Sequence, residues 1–272
     1  MEILGLVYWN PDPVVVTLGR LTVRWYGILF MLSFLMGMVL FTWIYRSENK
    51  PDDDVGLLIL FMIVGTIVGT RLGHCFFYHP AEYLAHPANI LKVWNGGLSS
   101  HGGAIGIGLA LYLYSLTRAN QPFVWVVDRA SIPLALGASF VRMGNLVNAE
   151  ILGKPTDLPW AFVFERKHDL TPRHPVQIYE AIAYVLIFAG LVAVYRRLRS
   201  RTPPGLLIGL FLTAVFTARF FIEFLKERQT GYLPGFTLNT GQMLSIPLVV
   251  LGIAILGWTA RRGAVEGLPR RS

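Results

Sequence analysis

The chain has 272 residues, of which 54% are apolar and only 15% charged, and its net charge is +8. The apolar residues gather into runs of about twenty, the length that crosses a bilayer, which excludes an ordinary soluble globular protein. The single cysteine, Cys75, excludes an intrachain disulfide and any multi-cysteine metal site, and its apolar setting points to inert packing. The positive charge follows from basic loops on one side of a membrane and gives no reason to invoke nucleic acid.

Residues 1–20 lack the basic start and small-residue cleavage site of a signal peptide, and they contain Pro11 and Pro13. They read as an amphipathic lead-in segment lying on a membrane surface. A first span, residues 21–45, opens with T-V-R-W-Y-G and places Trp25 and Tyr26 at the interface, Tyr26 as an aromatic-belt residue. The second span, 55–78, carries Gly65, Gly69 and Gly73 every four residues, a stripe for close packing against a neighbouring helix. Arg71 and His74 lie near its far end, where they either snorkel or serve a site. The loop 79–97 holds His79, His86 and Lys92; irregular spacing and the lack of acidic partners argue against a metal.

A third span begins near residue 98 with S-S-H-G-G. Two glycines after His101 remove side-chain bulk, so a substrate can approach the imidazole, and histidine is suited to move protons near neutral pH. A structural histidine is the competing reading. The fourth span, 123–148, ends in the stretch R-M-G-N-L-V-N-A-E-I-L-G, from Arg142 to Gly153. An arginine at mid-bilayer costs about 2.5–3.5 kcal/mol on insertion scales, so it is usually functional or paired. At about 100° per residue Arg142, Asn145 and Asn148 share one face. Gly137 and Gly144 lie on another, where a second helix can approach. Glu150 leaves the polar face of a regular helix and falls where the helix ends. The alternative is a buried polar network that only holds helices together.

Residues 151–174, with Pro155, Pro159 and Pro172, are too short for a domain and read as a small cap. The fifth span, 173–195, opens R-H-P-V-Q-I-Y-E, with Gln177 and Glu180 facing back toward the cap. Residues 196–201 hold four arginines and no acid, which marks a cytoplasmic loop. In the sixth span, 206–225, Arg219 and Glu223 are four apart and hence neighbours on one helix face, as an ion pair or as a site. A seventh span, 242–259, precedes a basic tail, 260–272, that is again cytoplasmic.

The expected fold is therefore all-α, a single membrane-embedded domain over 1–272 with about seven spans and the N-terminus outside. His101, the end of the Arg142 stretch, the cap, Glu180 and Glu223 then lie toward the outer face, with Arg219 deeper in the same half. Two arginines in low dielectric suit a phosphate, through charge-assisted and often bidentate hydrogen bonds. A phosphate at that depth belongs to a lipid headgroup. Asparagines suit its glycerol or ester oxygens, and His101, Glu150 and Glu223 can handle protons.

Five motifs in one order carry a family resemblance: R-W-Y-G, H-G-G, R-x-G-N-x-x-N-x-E-x-x-G, H-P-x-Q-x-Y-E and R-F-x-x-E-F. Together they resemble prolipoprotein diacylglyceryl transferase. The resemblance implies a seven-helix bacterial inner-membrane enzyme with a periplasmic cap and no metal or organic cofactor. It implies transfer of diacylglycerol from phosphatidylglycerol to the sulfur of a lipobox cysteine in prolipoproteins, releasing glycerol phosphate. It makes Arg142 and Arg219 headgroup phosphate binders, and Asn145, Asn148 and Glu150 headgroup and active-site network residues. Gly153 shapes the turn, His101 is the base or relay for the thiol proton, Glu223 orients Arg219, and Tyr26 lines the lipid site. A base is expected because the thiolate is the nucleophile. Glu150 and Glu223 are the other candidates for it. Val141, Leu146, Ser100 and His74 depart from the family pattern, with helix packing and substrate preference as the properties at stake. A transporter with a buried Arg/Glu/His pathway is the alternative, disfavoured because the polar residues cluster toward one face and no repeat of halves is visible. A CDP-alcohol type transferase lacks its ordered aspartates here.

Overall fold

The computed structural model describes residues 5–19, 21–78, 80–92, 99–168, 170–227 and 238–266. Eight helices carry most of them: α1 (Trp25–Ser47), α2 (Asp54–Tyr78), α3 (Pro80–Ala85), α4 (Ser100–Leu116), α5 (Phe123–Val147), α6 (Val176–Leu198), α7 (Leu206–Ile222) and α8 (Thr240–Glu266). Six of these, α1, α2, α5, α6, α7 and α8, are long and apolar enough to cross a membrane. The sequence predicts seven. The difference is α4, whose 17 residues sit at the lower edge of the roughly 17–25 that a crossing takes; α7 is as short, but its 3-10 continuation to Leu225 makes a stretch of 20. Leu98, where the third span was expected to begin, lies outside the described residues.

Four short strands add to the expected all-α architecture: β1 (Val7–Trp9), β2 (Val14–Leu18), β3 (Leu21–Arg24) and β4 (Phe162–Phe164). Strands β2 and β3 form an antiparallel hairpin, and β1 pairs with β4 in parallel. The hairpin follows from local chemistry. V-V-V-T-L and L-T-V-R are rich in β-branched residues, and Gly19, at φ 60°, supplies the left-handed turn. Residues 21–24, expected to open the first span, are thus strand, and α1 starts at Trp25.

The chain divides into two compact units, residues 38–130 and residues 1–37 with 131–272. In the first, the glycine stripe of α2 packs on α4 as its spacing predicts. A Cβ on Gly69 would strike the Gly102 carbonyl and the Gly106 backbone, and one on Gly73 the Gly102 backbone. The two helices therefore touch backbone to backbone. This revises the reading of the glycines after His101. Gly102 faces Gly69 and Gly73, and Gly103 faces Thr70, so helix packing fills the space thought open to a substrate. Gly102→Ala is expected to destabilise the protein by about 1–3 kcal/mol, the usual cost of overpacking, because backbone rather than a mobile side chain stands in the way. Thermal unfolding in detergent measures this, and an unchanged midpoint would contradict the backbone contact.

Arg71, also in this unit, is buried. It donates from Nε to Ile90 O at 2.9 Å and from Nη2 to Asn89 O at 2.6 Å, with the Tyr83 ring 5.2 Å from its guanidinium carbon. It does not snorkel; it pins the connection after α3. Polar groups close the opposite end of the α2–α4 pair. Gln121 accepts from the Tyr45 and Tyr114 hydroxyls and donates to Asp54, which pairs with Arg118. Beside them Glu48 pairs with buried Arg129 and accepts from the Trp125 indole.

In the second unit α7 and α8 pack at Gly209 and Gly252. Asn239 and Gln242 form a reciprocal capping box at the start of α8: each backbone N–H donates to the other's side-chain oxygen, at 3.0 and 2.8 Å.

Candidate functional site: an ion network at the end of α5

The site is built from the way α5 stops. Ala149 and Ile151 adopt left-handed φ of 51° and 57°, and Glu150 N donates to Asn145 O at 2.9 Å. A left-handed residue closing a helix is usually glycine; alanine pays about 1–2 kcal/mol for it, so tertiary contacts hold the turn. Trp9 Nε1 donates to Leu146 O at 2.9 Å, and Gln177 Nε2 to Glu150 O at 2.6 Å. Beneath the turn, Leu146, Ala149, Phe162 and Phe164 pack with Trp9, Leu152 and Ile178. This reversal brings the Glu150 carboxylate back over the helix end. Asn145 Nδ2 donates to its Oε2 at 3.0 Å and Asn148 Nδ2 to its Oε1 at 3.2 Å. Glu150 thereby joins the Arg142–Asn145–Asn148 face that a regular helix denies it.

Gly153 follows the turn. A Cβ there would overlap the His174 carbonyl, so the close approach requires glycine. Lys154 N donates to Leu225 O at 2.7 Å and Glu227 N to Leu152 O at 3.0 Å, lashing residues 152–154 to the segment after α7. Alongside, burial lowers the His174 imidazole below its ordinary range, which favours its neutral form.

The charged centre is Glu180, on the second turn of α6 and fully buried. Its Oε2 lies 3.0 Å from Arg142 Nε, and its Oε1 accepts from Lys226 Nζ at 2.9 Å. Lys226 also donates to Glu223 Oε2 at 3.0 Å. Arg142 Nη1 donates to Asn145 Oδ1 at 3.2 Å. Three cations, Arg142, Arg219 and Lys226, thus stand with three carboxylates, Glu150, Glu180 and Glu223.

Arg142 is ion-paired with Glu180. One expectation changes. Glu223 pairs with Lys226 rather than orienting Arg219, although its backbone N–H still donates to Arg219 O at the end of α7. Among the described residues no carboxylate lies within ion-pair distance of Arg219, although it is within electrostatic range of Glu180. Tyr26 also departs from the aromatic-belt reading. Its ring lies against Gly144, within electrostatic range of Glu150 and Arg142.

Arg142, Asn145, Asn148, Glu150, Gly153, Glu223 and Tyr26 therefore come together around the α5 end, with Arg219 in range of Glu180. Lys226 was not among the sequence candidates, since a lysine just past a membrane helix ordinarily reaches for water. Glu180 was recognised only as facing the cap. His101 belongs to the other compact unit, on the first turn of α4, where Ser99 caps the helix by accepting from Gly102 N.

The fold and the network define a polytopic membrane protein with a polar, charge-bearing site centred on the buried Glu180 and Lys226. The chain belongs to the prolipoprotein diacylglyceryl transferase family, whose model matches residues 13–258. It is 49% identical to the phosphatidylglycerol–prolipoprotein diacylglyceryl transferase of Chloroherpeton thalassium, over 98% of this chain and 99% of that one. It is 46% identical to the enzyme of the same name from Tolumonas auensis, over 95% and 100%. For that of Porphyromonas gingivalis the figures are 42%, 94% and 95%. Family membership makes the chain a diacylglyceryl transferase and displaces the transporter alternative.

Proposed function

We propose that the chain transfers the diacylglyceryl group of phosphatidylglycerol to the sulfur of a lipobox cysteine in prolipoproteins. The carbon–oxygen bond to the phosphate breaks, a thioether carbon–sulfur bond forms, and glycerol phosphate leaves with the bonding electrons. The observation that carries this reading is a partly buried arginine, Arg142, ion-paired to Glu180, with a second, Arg219, within electrostatic range of the same carboxylate and with no carboxylate at ion-pair distance among the described residues. Formal charges in the network already balance, so charge alone does not demand an anion. The geometry around Arg219 favours one. Asn145, Asn148 and Glu150 then serve the glycerol headgroup, Tyr26 lines the lipid site, and Gly153 holds the turn that presents Glu150. The substrates imply a bacterial inner membrane, and α4 counts as a seventh crossing. The test is an assay with purified protein, phosphatidylglycerol and a lipobox peptide. Glycerol phosphate and a thioether-linked lipid should appear together, and their absence would refute the reading.

His101 is the base or relay for the thiol proton. His101→Gln is expected to lower kcat by about 10²–10⁴-fold, the usual scale for removing a general base, while lipid affinity stays nearly intact. Near-normal turnover would move the role to Glu150 or Glu223.

The arginines of residues 196–201 support a cytoplasmic position for that loop, a periplasmic cap and N-terminus, and a cytoplasmic tail. Asp157 and Ser200 are both exposed. With Cys75 replaced, single cysteines at these two positions should label from opposite faces of the membrane. Labelling of the Asp157 position from the cytoplasm would invert the topology and move the site to the other leaflet.

A further inference from the structure

Lys226 makes two ion pairs at once, to Glu180 Oε1 at 2.9 Å and Glu223 Oε2 at 3.0 Å, with 5% of its side chain exposed. A lysine at the end of a membrane helix ordinarily extends its ammonium into water. This one turns inward, and two carboxylates together offset its desolvation. The backbone holds it there: Lys226 bridges to Gly153, and its neighbours Leu225 and Glu227 bond to Lys154 and Leu152. Glu223, four residues after Arg219, is the carboxylate that sequence spacing assigns to Arg219. It is occupied by Lys226 instead. Glu180, the carboxylate on Arg142, is shared with the same ammonium.

We propose that Lys226 is a positioning residue that keeps the two arginines available for a phosphate, by engaging Glu223 and by sharing Glu180. The proposal rests on the reading of Arg142 and Arg219 as headgroup phosphate binders. Lys226 acts through the carboxylates and does not need to touch lipid. Without it, Glu223 is released to compete with the lipid phosphate for Arg219, and Glu180 tightens on Arg142. The loss therefore falls on phosphatidylglycerol binding.

The test uses the full-length protein in detergent, with phosphatidylglycerol as ligand and a lipobox peptide as acceptor. Lys226→Met is expected to raise Kd and KM for phosphatidylglycerol about tenfold or more, with a smaller fall in kcat. Lys226→Arg should restore binding, because it keeps the cation between the two carboxylates. Adding Glu223→Gln to Lys226→Met should bring Kd back to within about threefold of the unmodified protein, whatever happens to kcat, because the competing charge is gone. Wild-type affinity in Lys226→Met would overturn the proposal. So would equal weakness of the single and double variants, which would make the ammonium a direct ligand or a purely structural group. If the single variant does not fold, the double variant decides by the same threefold and tenfold limits. Failure of both to fold would leave Lys226 structural and the proposal refuted. An unmodified protein that transfers nothing from phosphatidylglycerol would sink the functional reading itself, an outcome distinct from any of these.

Discussion

Arg219→Ala and Arg142→Ala should each insert and fold in the membrane yet lose at least about 10²-fold in turnover, the scale of removing one preorganised stabilising group from a developing anion. Phosphatidylglycerol carries one negative charge on its phosphodiester, and glycerol phosphate leaves with more. Cations fixed around that phosphate therefore gain more from the transition state than from the bound lipid, and this difference raises kcat. Arg219 carries the argument more directly, since among the described residues no carboxylate sits at ion-pair distance from it. Lysine should rescue neither position. At Arg142 the guanidinium uses Nε toward Glu180 and Nη1 toward Asn145, two directions that a single ammonium cannot reproduce. Full activity in a lysine variant would show that a point charge suffices there. Full activity in an alanine variant would remove that arginine from the phosphate site and leave a structural ion network as the better account. Turnover with phosphatidylglycerol and a lipobox peptide, normalised to folded protein, makes the measurement.

Replacing Glu180 should produce the largest loss of stability. Its carboxylate is fully buried and faces Arg142 on one oxygen and Lys226 on the other. Removing one partner of a buried ion pair strands the rest in low dielectric, at about 3–5 kcal/mol. Glu180→Gln keeps shape and volume but not charge, so its effect isolates the electrostatics from packing. Unfolding in detergent should show a loss on that scale. A loss below about 1 kcal/mol, the level of an exposed pair, would mean that water or lipid reaches the network and that Glu180 does not organise it.

Much of this protein was legible in its sequence, for physical reasons that act locally. Bilayer thickness fixes the length of an apolar run, so six crossings were readable within a few residues of their ends, and α4 was the marginal case. The Gly65–Gly69–Gly73 spacing announced a helix contact because only glycine lets backbones meet. The Arg142–Asn145–Asn148 face followed from helical periodicity, and the ordered motifs named the family. The sequence did not reveal what depends on a change of backbone conformation or on a distant partner. The hairpin ahead of α1 was hidden because its second strand, L-T-V-R, runs directly into the apolar run of α1 and reads as the start of that span. Glu150 reached the polar face only because Ala149 turns left-handed, a conformation held by Trp9 and Gln177 from remote parts of the chain. Glu223 turned to Lys226 because the 3-10 turn after α7 brings that ammonium, three residues on, to its carboxylate. Glu180 and Lys226 became partners across 46 residues of sequence. Length, hydropathy and periodicity thus determined which segments cross the membrane and which residues are polar within it. Only the tertiary structure decided which cation meets which carboxylate, because a buried charge takes its nearest partner in space.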